Sequence, residues 1–369
     1  RKAMLLGAAA LLCSTTAAVA APISLPAGVD PNSVQARIVS QGPQGILQTG
    51  GTPVQPADIE TNPGDFSGVG DLILFNTDDD GFITSAARCT ASRVGAKRIL
   101  TAAHCAADAE GNVDFEQAFI DFETSDGTVE RHFTKPITGD QLHPDFTGNL
   151  IEGNDVAVLD LASRPSDDIE THEVFRDPND RGSEFEIVGF GTSGTGDTGG
   201  TISSGPIGGA TQRAGMNLFD NFFFDFGIGD PNTILWFDFD NGNPLNDAFG
   251  NLMNLVGLDL GLEDLGVGPF EVNTAPGDSG GPSFIDGQIA AVTSFGISSL
   301  GITIGGVPIG GDVDNMTNSS FGEFSGNARI FTALDFVDSR LLPVPATLVL
   351  FGAGLFGLAF AGRRRRSWR

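Results

Sequence analysis

Short apolar runs recur along the middle of the chain, each bounded by Gly, Asp, Asn or Pro. The runs are six to nine residues long and rich in β-branched and aromatic side chains. Segments of this length and composition predict strands rather than helices. They cover residues 71–76, 81–89, 97–102, 115–122, 155–161, 185–191, 234–239, 288–296 and 328–334. So many short strands predict an all-β barrel or sandwich.

Three other segments add detail to this prediction. Residues 331–342 have apolar side chains three and four positions apart, which predicts a closing helix. Residues 192–270 are first Gly-rich and then Phe-rich and end with mixed periodicity, so apart from the strand at 234–239 this segment is the least readable part of the chain. Asp80-Gly81 predicts a hairpin turn between the first two strands. The neighbouring acids resemble the start of a calcium loop, but Ala87 stands where that loop needs a glutamate, so the turn is preferred.

Both ends of the chain have the pattern of targeting segments. Residues 1–20 combine a basic pair, a short apolar run and a closing Ala-Val-Ala, which predicts a signal peptide that includes Cys13. Residues 21–68 are rich in Pro, Gly and Gln and are predicted to form a flexible lead. Residues 346–362 are uncharged and mostly apolar, and four arginines follow them. This segment is near the minimum length for crossing a bilayer, and the arginines are expected to stay cytoplasmic.

The charge of the chain is strongly negative. Its 369 residues include 20 basic and 47 acidic side chains, which gives a net charge of −27. Several of the basic residues lie in the two terminal segments, so the body between them is more acidic still. Such a body should repel nucleic acid, and no nucleic-acid partner is predicted. After loss of the signal peptide, Cys89 and Cys105 remain, and they could oxidise outside the cytoplasm.

Three polar residues in apolar or Gly-rich surroundings are candidates for catalysis. Ser279 lies in TAPGDSGGPS, and a serine needs a base before it can act as a nucleophile. His104 in ILTAAHCA follows a predicted strand and is the best candidate for that base. Asp155 and Asp160 both lie in NDVAVLDL, and either carboxylate could orient the imidazole. Spacing alone does not choose between these two acids.

The motifs TAAHC, NDVAVLDL and GDSGGP, in this order, resemble those of the chymotrypsin-like (trypsin-fold) serine proteases. The resemblance implies His104 as general base, Asp155 as its orienter and Ser279 as nucleophile. It implies an oxyanion hole from the backbone N–H groups of Gly277 and Ser279. It also implies an all-β fold of two antiparallel β-barrels with a C-terminal helix. No HExxH or paired-histidine spacing occurs, so neither a metal site nor a cofactor is predicted.

The same resemblance extends to the disulfide and the substrate site. It implies a bond between Cys89 and Cys105, which would tie the histidine loop to the strand before it. It places Asn273 at the base of the primary pocket, and the segment Ser294, Phe295 and Gly296 beside the substrate backbone. A neutral amide at the base predicts medium or large uncharged side chains in the pocket rather than Arg or Lys.

The predicted domain boundaries follow from these patterns. The signal peptide occupies residues 1–20 and the flexible lead residues 21–68. A serine protease domain covers residues 69–342, with its first barrel at about 69–180 and its second at about 181–342. A C-terminal segment covers residues 343–369.

The last segment, PVPATLVLFGAGLFGLAFAGRRRR, resembles the PEP-CTERM sorting signal, although Val344 replaces its usual glutamate. That resemblance implies processing by an exosortase and delivery to the cell surface or extracellular matrix of a Gram-negative bacterium, after transient contact with the inner membrane. A permanent single-span anchor is the alternative.

Two functional alternatives are carried forward from the sequence. The first is a secreted serine endopeptidase that acts on polypeptides. The second is a catalytically silent surface or matrix protein on the same scaffold.

The tripeptide Arg37-Ile38-Val39 also resembles the activation site of this family, where cleavage frees an Ile-Val terminus that pairs with Asp278. An accidental match in a flexible lead is the other interpretation.

Overall fold

The computed structural model describes most of the middle of the chain. The described residues are 39–40, 56–202, 207, 209–222, 232–256, 265–268, 270–298, 303–304, 307–308, 311–314 and 316–341. The predicted signal peptide and the predicted sorting segment lie outside these residues. Within the described ranges, no helix combines the length and the apolar character that a bilayer span requires.

The first part of the chain forms a six-stranded antiparallel sheet. A two-residue strand, β1 (Val39–Ser40), precedes it. The strands of the sheet are β2 (Val69–Thr77), β3 (Ile83–Gly95), β4 (Arg98–Thr101), β5 (Gln117–Glu123), β6 (Val129–Phe133) and β7 (Ala157–Asp160). Their order is β6-β5-β2-β3-β4-β7. The amide of Ala162 donates to the carbonyl of Phe133 at 2.9 Å, and that of Lys135 to the carbonyl of Asp160 at 2.7 Å. The sheet therefore curls until its two edges meet.

The later strands are β8 (Glu184–Gly189), β9 (Ser193–Thr195), β10 (Gly199–Ile202), β11 (Arg213–Leu218), β12 (Asn221–Phe222), β13 (Ile234–Asp238), β14 (Val272–Asn273), β15 (Pro282–Ile285), β16 (Gln288–Ser298), β17 (Thr303–Ile304), β18 (Val307–Pro308) and β19 (Glu323–Arg329). Seven of them form a second antiparallel sheet in the order β11-β8-β15-β16-β19-β13-β12. Strands β11 and β12 are separated by two residues, yet lie at opposite ends of this order. The segment that contains β11 and β12 therefore supplies both edge strands of the sheet. The second sheet must also curl to bring these two edges close together.

Two smaller sheets complete the strand pairing. The first has the order β10-β9-β1-β14, and the second pairs β17 with β18. Strand β1 runs antiparallel to β14 and parallel to β9. These pairings hold the start of the described chain against the second sheet's loops.

Two α-helices occur in the described residues: α1 (Ala248–Val256) and α2 (Leu334–Leu341). Helix α2 confirms the predicted closing helix. Arg340 on α2 pairs with Asp160 of β7, with 3.2 Å between Nη2 and Oδ1. The ring of Phe336 packs edge-on against His143, with 5.1 Å between the ring centroids. The helix that follows the second sheet therefore lies against the first one.

A buried apolar layer joins the two sheets. Its fully buried members come from both sheets, from the residue after β19 and from α2; they include Val69, Leu100, Val158, Val188, Val292, Ile330 and Val337. Burying these side chains between the sheets removes apolar surface from water and fixes one sheet against the other. Loops that leave both sheets meet beside this layer.

The structure differs from the sequence-based elements in two places. The predicted strand at 328–334 ends at Arg329, because residues 331–333 form a turn of 3-10 helix that leads into α2. In the segment 192–270 the predicted strand at 234–239 is present as β13, and the segment also contains β9 to β12 and α1, for which no element was predicted. The predicted turn at Asp80-Gly81 is present, with Gly81 at a φ of 84° and its amide bonded to the Asp78 carbonyl at 3.0 Å.

Candidate active site

His104 lies in a single turn of 3-10 helix, Ala103–Cys105, directly after β4. Its imidazole Nδ1 lies 2.6 Å from Oδ2 of Asp155, and its backbone N–H donates to Oδ1 of the same carboxylate at 2.8 Å. Asp155 is fully buried and His104 nearly so. A single carboxylate thus fixes both the backbone and the ring of His104.

Asp155 accepts a further hydrogen bond from the second sheet. Ser294 Oγ donates to Asp155 Oδ2 at 2.5 Å. Ser294 occupies a register shift in β16, where Thr293 pairs with Asn327 and Phe295 pairs with Gly326. A bulge re-aims a side chain out of the regular alternation. The bulge therefore directs Ser294 towards a carboxylate carried by the other sheet.

Asp160, the alternative orienter, lies elsewhere. Its carboxylate forms ion pairs with Arg98, Lys135 and Arg340 at 3.1, 3.6 and 3.2 Å. These contacts tie β7 to β4 and to α2. The structure therefore brings Asp155, and not Asp160, to the imidazole.

The predicted disulfide between Cys89 and Cys105 is confirmed. The two sulfur atoms are 2.04 Å apart and the Cα atoms 6.3 Å apart. Cys89 lies in the middle of β3, and Cys105 follows His104 directly. The bond therefore anchors the histidine turn to a central strand of the first sheet.

Ser279 lies in a tight turn between β14 and β15 that both sheets hold. Its carbonyl accepts a hydrogen bond from the amide of Thr90 in β3 at 2.8 Å. The next amide, that of Gly280, donates to the carbonyl of Thr293 in β16 at 2.8 Å. Gly280 has a φ of 77°, and a Cβ there would lie 2.0 Å from Thr101 Oγ1. Only glycine fits this approach, which sets Ser279 at the junction of the sheets.

The two amides predicted to bind an oxyanion are available. Gly277 has a φ of 102°, a conformation that favours glycine. Its carbonyl accepts a hydrogen bond from Thr90 Oγ1 at 3.0 Å. Within the described part of the chain, neither Gly277 N–H nor Ser279 N–H donates a hydrogen bond. The turn thus leaves two backbone donors beside the Ser279 side chain.

The imidazole and the serine hydroxyl are not hydrogen-bonded to each other. His104 Nε2 is buried and has no hydrogen-bond partner among the described residues. Ser279 is 4 % exposed, so little solvent reaches its side chain. Such bonds are often long without substrate and shorten when it binds, and a serine hydroxyl can rotate between rotamers. The two groups therefore have the surroundings of a base and a nucleophile, without the bond that would join them.

Asp278 precedes the candidate nucleophile and is fully buried. Its carboxylate accepts hydrogen bonds from Gly191 N–H at 2.5 Å and from Ala275 N–H at 3.0 Å. Burial raises its pKa to about 7, and the two amides offset part of that effect. Strand β1 lies close to this turn, since Val39 pairs with Asn273 and with Gly194. Ile38, at the predicted activation site, lies outside the described residues.

A cavity of about 290 Å³ opens beside Ser279. It is bordered by the nucleophile turn, by β16 and by the loop before β19; the lining residues are Thr192, Gly200, Thr274, Ala275, Pro276, Ser279, Thr293, Ser294, Phe295, Gly296, Thr317, Asn318, Ser319 and Glu323. Three of the predicted substrate-contacting residues, Ser294, Phe295 and Gly296, are therefore among them.

Asn273, the fourth predicted substrate residue, lies behind the cavity. It is 1 % exposed and is not one of the lining residues. Its Oδ1 accepts hydrogen bonds from Ser325 Oγ at 2.6 Å and from Thr274 N–H at 2.9 Å. Glu323, which is also 1 % exposed, is one of the lining residues and was missed by the sequence analysis. The predicted strand closest to it began at Ala328, so no local pattern marked Glu323.

Two groups of carboxylates have oxygens close enough to share a cation. Asp238, Asp240 and Asp247 form one buried group, and Asp312, Asp314 and Glu323 form the other; in each, the ligand atoms lie within 4.8 Å of one another. Burial, with the charge of Asp238 as the next cause, raises the pKa of Asp240 well above its usual value. Proximity of carboxylates does not by itself identify a metal, and no cation is assigned to either group.

Comparison with known proteins adds information on the family. The Trypsin family model matches residues 79–215, a segment that includes His104 and Asp155 and ends before Ser279. No curated protein matches the chain. A solved structure of HL collagenase is similar, with 17 % identity, a TM-score of 0.44, and coverage of 76 % of this chain and 96 % of that one. A solved structure of neuropsin, a serine protease expressed in the limbic system of mouse brain, is also similar. It has 14 % identity and a TM-score of 0.44, and the match covers 76 % of this chain and 97 % of that one. Residues 79–215 of this mostly β chain are thus similar to the Trypsin family.

Proposed function

We propose that this protein is a secreted serine endopeptidase in which Ser279 attacks the peptide bond, His104 acts as general base and acid, and Asp155 orients the imidazole. The observation that supports it most is the carboxylate of Asp155, which holds the N–H and Nδ1 of His104 at 2.8 and 2.6 Å. With Nδ1 held by a carboxylate, Nε2 is the nitrogen left to accept a proton. The family match over residues 79–215 supports the same class.

The reaction follows from these positions. His104 Nε2 takes the proton of Ser279 Oγ as that oxygen bonds to the carbonyl carbon of the substrate. The negative charge that forms on the carbonyl oxygen is stabilised by Gly277 N–H and Ser279 N–H. Asp155 stabilises the imidazolium, which then passes its proton to the leaving amine. Water, deprotonated by His104, releases the acyl group from Ser279 in the second half of the reaction.

We also propose that cleavage after Arg37 activates the enzyme. The supporting contacts are those of β1, whose Val39 pairs with Asn273 close to the nucleophile turn. Asp278 forms hydrogen bonds with backbone amides, and no ion pair of it occurs among the described residues. A new α-ammonium group at Ile38 would supply the positive charge that this buried carboxylate needs.

Export and sorting form part of the proposal. The disulfide between Cys89 and Cys105 is consistent with an oxidising compartment outside the cytoplasm. Residues 1–20 would direct export, and residues 343–369 would be removed by an exosortase after transient contact with the inner membrane. The protein would then reside at the cell surface or in the matrix of a Gram-negative bacterium. Mass spectrometry of exported protein tests this, because a C-terminus still ending in Ser-Trp-Arg would contradict processing.

A catalytically silent scaffold is the second candidate. The observation that favours it is the absence of a hydrogen bond from Ser279 to His104 Nε2 among the described residues. Hydrolysis of a quenched peptide library by the exported protein separates the two candidates. We expect turnover by the wild type and by Ser125→Ala, an exposed serine in the turn between β5 and β6, and none by Ser279→Ala. Equal hydrolysis by all three proteins would contradict the proposal.

A further inference from the structure

The cavity beside Ser279 carries one charged side chain among its described lining residues, and that side chain is acidic. The residues from the nucleophile turn and from β16 are small, apolar or neutral and polar. Glu323 is the first residue of β19. A side chain that enters this cavity from a peptide bound at Ser279 therefore meets a carboxylate.

Strand geometry explains why Glu323 faces the cavity. Residues two positions apart on a strand lie on the same face of its sheet. Ser325, two residues after Glu323, directs its hydroxyl to Asn273 Oδ1 at 2.6 Å and lies 2.8 Å from Thr274 Oγ1. In the register of the two strands, Gly296 pairs with Ser325 and Ser298 pairs with Glu323. Because Thr274 lines the cavity, its contact with Ser325 puts Ser325 and Glu323 on the cavity side of β19, and Glu323 lies two pairing steps beyond Gly296.

The carboxylate of Glu323 is held in place by neighbours in the same wall. Its Oε1 accepts from the backbone N–H of Asn318 at 2.9 Å, and its Oε2 from that of Ser319 at 3.0 Å. Ser320 Oγ lies 3.4 Å from Oε1. A carboxylate offers about four acceptor sites, so Oε2 can accept another donor. Asn318 and Ser319 both line the cavity, which places the carboxylate between two wall residues.

The surrounding charge is negative as well. Asp312 and Asp314 each have a carboxylate oxygen within 4.8 Å of Glu323's. No Lys, Arg or His is among the described residues of the cavity lining. Burial raises the pKa of Glu323 to about 7, with the charge of Asp312 contributing in the same direction. A cation beside Glu323 would stabilise the ionised carboxylate, whereas an anion would be repelled.

The cavity has room for a long side chain. A Cβ built on Gly296 would have its nearest neighbour, the Phe324 carbonyl oxygen, at 3.7 Å, so the position is open rather than closely packed. The ring of Phe295 packs over Gly326, where a Cβ would lie 2.5 Å from the ring. The Phe295 side chain therefore remains part of the cavity wall. An aliphatic stem can lie along these groups while its charged end reaches Glu323.

We propose that Glu323 makes this pocket selective for a positively charged substrate side chain, arginine or lysine, immediately before the cleaved bond. This inference rests on the proposed function and replaces the uncharged preference expected from Asn273. The neutral amide lies behind the cavity, and the acid that recognises the substrate comes from a different strand.

Matched substrates test the proposal on the mature, exported protein. Two peptides should be identical except for arginine or citrulline before the cleaved bond, because citrulline keeps the shape of arginine without its charge. EDTA is included so that no metal ion contributes. We expect kcat/KM to be at least about tenfold higher for arginine, as a charge-assisted hydrogen bond implies. Glu323→Gln should reduce this ratio to about 2 or less.

Two further variants separate recognition by Glu323 from general negative potential and from misfolding. Asp314→Asn removes the same charge from the same group, but Asp314 does not line the cavity, so most of the arginine preference should remain. Glu323→Asp retains a carboxylate and should therefore retain part of the arginine preference. A wild-type ratio near 1, or the same ratio in Glu323→Gln, would overturn the inference.

Failure of the proposed function gives a different result. Binding of benzamidine and of neutral benzamide to Ser279→Ala protein requires no turnover. Preferential binding of benzamidine, reduced in a Ser279→Ala, Glu323→Gln double variant, would support the pocket's selectivity even if no peptide were cleaved. Equal binding of the two compounds would contradict the selectivity, whatever the wild type hydrolyses.

Discussion

The base and the nucleophile of the candidate site differ in how completely the fold satisfies their hydrogen bonds. On the first sheet, Asp155 accepts hydrogen bonds from the N–H of His104 and from Ser294, and lies 2.6 Å from the ring nitrogen. On the second sheet, the Ser279 turn is fixed through its carbonyl and through Gly280, yet the two amides proposed to bind an oxyanion make no hydrogen bond among the described residues. Buried donors without partners cost free energy. The base is therefore preorganised by the fold, whereas the nucleophile turn has donors left for a substrate.

The largest expected effect separates the two acids of NDVAVLDL. Asp155→Asn should lower kcat by roughly 10³–10⁴-fold, because an amide cannot stabilise the imidazolium and can favour the wrong tautomer. Asp160→Asn should change kcat by less than about threefold, since Asp160 pairs with Arg98, Lys135 and Arg340. Steady-state kinetics on one peptide substrate measures both. Equal losses in the two variants would contradict the assignment of Asp155.

A glycine pair tests the other half of the comparison. Gly277→Ala should lower kcat by about 10²–10³-fold, because a φ of 102° strains alanine and displaces an oxyanion donor. Gly287 is the matched control: it has a φ of 75° in the β15–β16 turn and no atom near its missing Cβ. Gly287→Ala should cost about 1 kcal/mol of stability and leave kcat unchanged. Similar activity of both variants would mean that the turn does not hold an oxyanion donor.

The disulfide should matter for stability more than for the chemistry itself. Replacing Cys89 and Cys105 together with Ser removes a bond that spans 16 residues and should lower the free energy of unfolding by about 2–4 kcal/mol. Urea unfolding of the wild type under reducing conditions should show a similar loss. A double variant as stable as the oxidised wild type would show that the histidine turn does not depend on this bond.

The last expected effect is a pH dependence of the free energy of unfolding, caused by Asp278. Its pKa is raised from 3.8 to about 7 in the folded protein, so the folded state holds a proton that the unfolded state has released between these values. The stabilisation is fully present below pH 3.8 and is lost as pH rises through about 7. In Arg37→Gln protein, where the Arg37–Ile38 bond should stay intact, this loss amounts to up to about 4 kcal/mol.

Adding Asp278→Asn to the Arg37→Gln protein should remove the contribution of Asp278 to the pH dependence of the free energy of unfolding. The comparison is made by urea unfolding at pH 4 to 8. Glu323 and Asp71, whose pKa values are raised to about 7 and about 6, should contribute to the slope in both proteins. Parallel curves for the two proteins would mean that Asp278 does not take up the proton.

The surroundings of His104 and its disulfide agree with the sequence predictions more closely than the lining of the cavity does. His104, Cys105 and Asp155 lie next to regular strands of the first sheet, so the local apolar pattern locates them. The choice of Asp155 over Asp160 needed either the resemblance or the three-dimensional contacts. Tertiary packing decided it, since both acids lie in one short run with equal chemistry.

The acidic residue of the cavity could not be predicted, although Ser294, Phe295 and Gly296 were, because its place in the wall is set by pairing between distant residues. Glu323 enters the cavity through the register of β16 and β19, and the chain between these strands shows no clear periodicity. A shift of one residue in that register would turn Glu323 to the other face of the sheet. Similarly, the bulge at Ser294 depends on the pairing with Asn327 and Gly326, which no local pattern reveals.

Covalent labelling by a fluorophosphonate tests most directly whether His104 and Asp155 activate Ser279. The exported protein is labelled, digested and analysed by mass spectrometry to locate the modified residue. We predict modification at Ser279 in the wild type and in Asp160→Asn, and little or none in His104→Ala and Asp155→Asn. Modification at another residue, or equal labelling of Ser279 in all four proteins, would contradict the account.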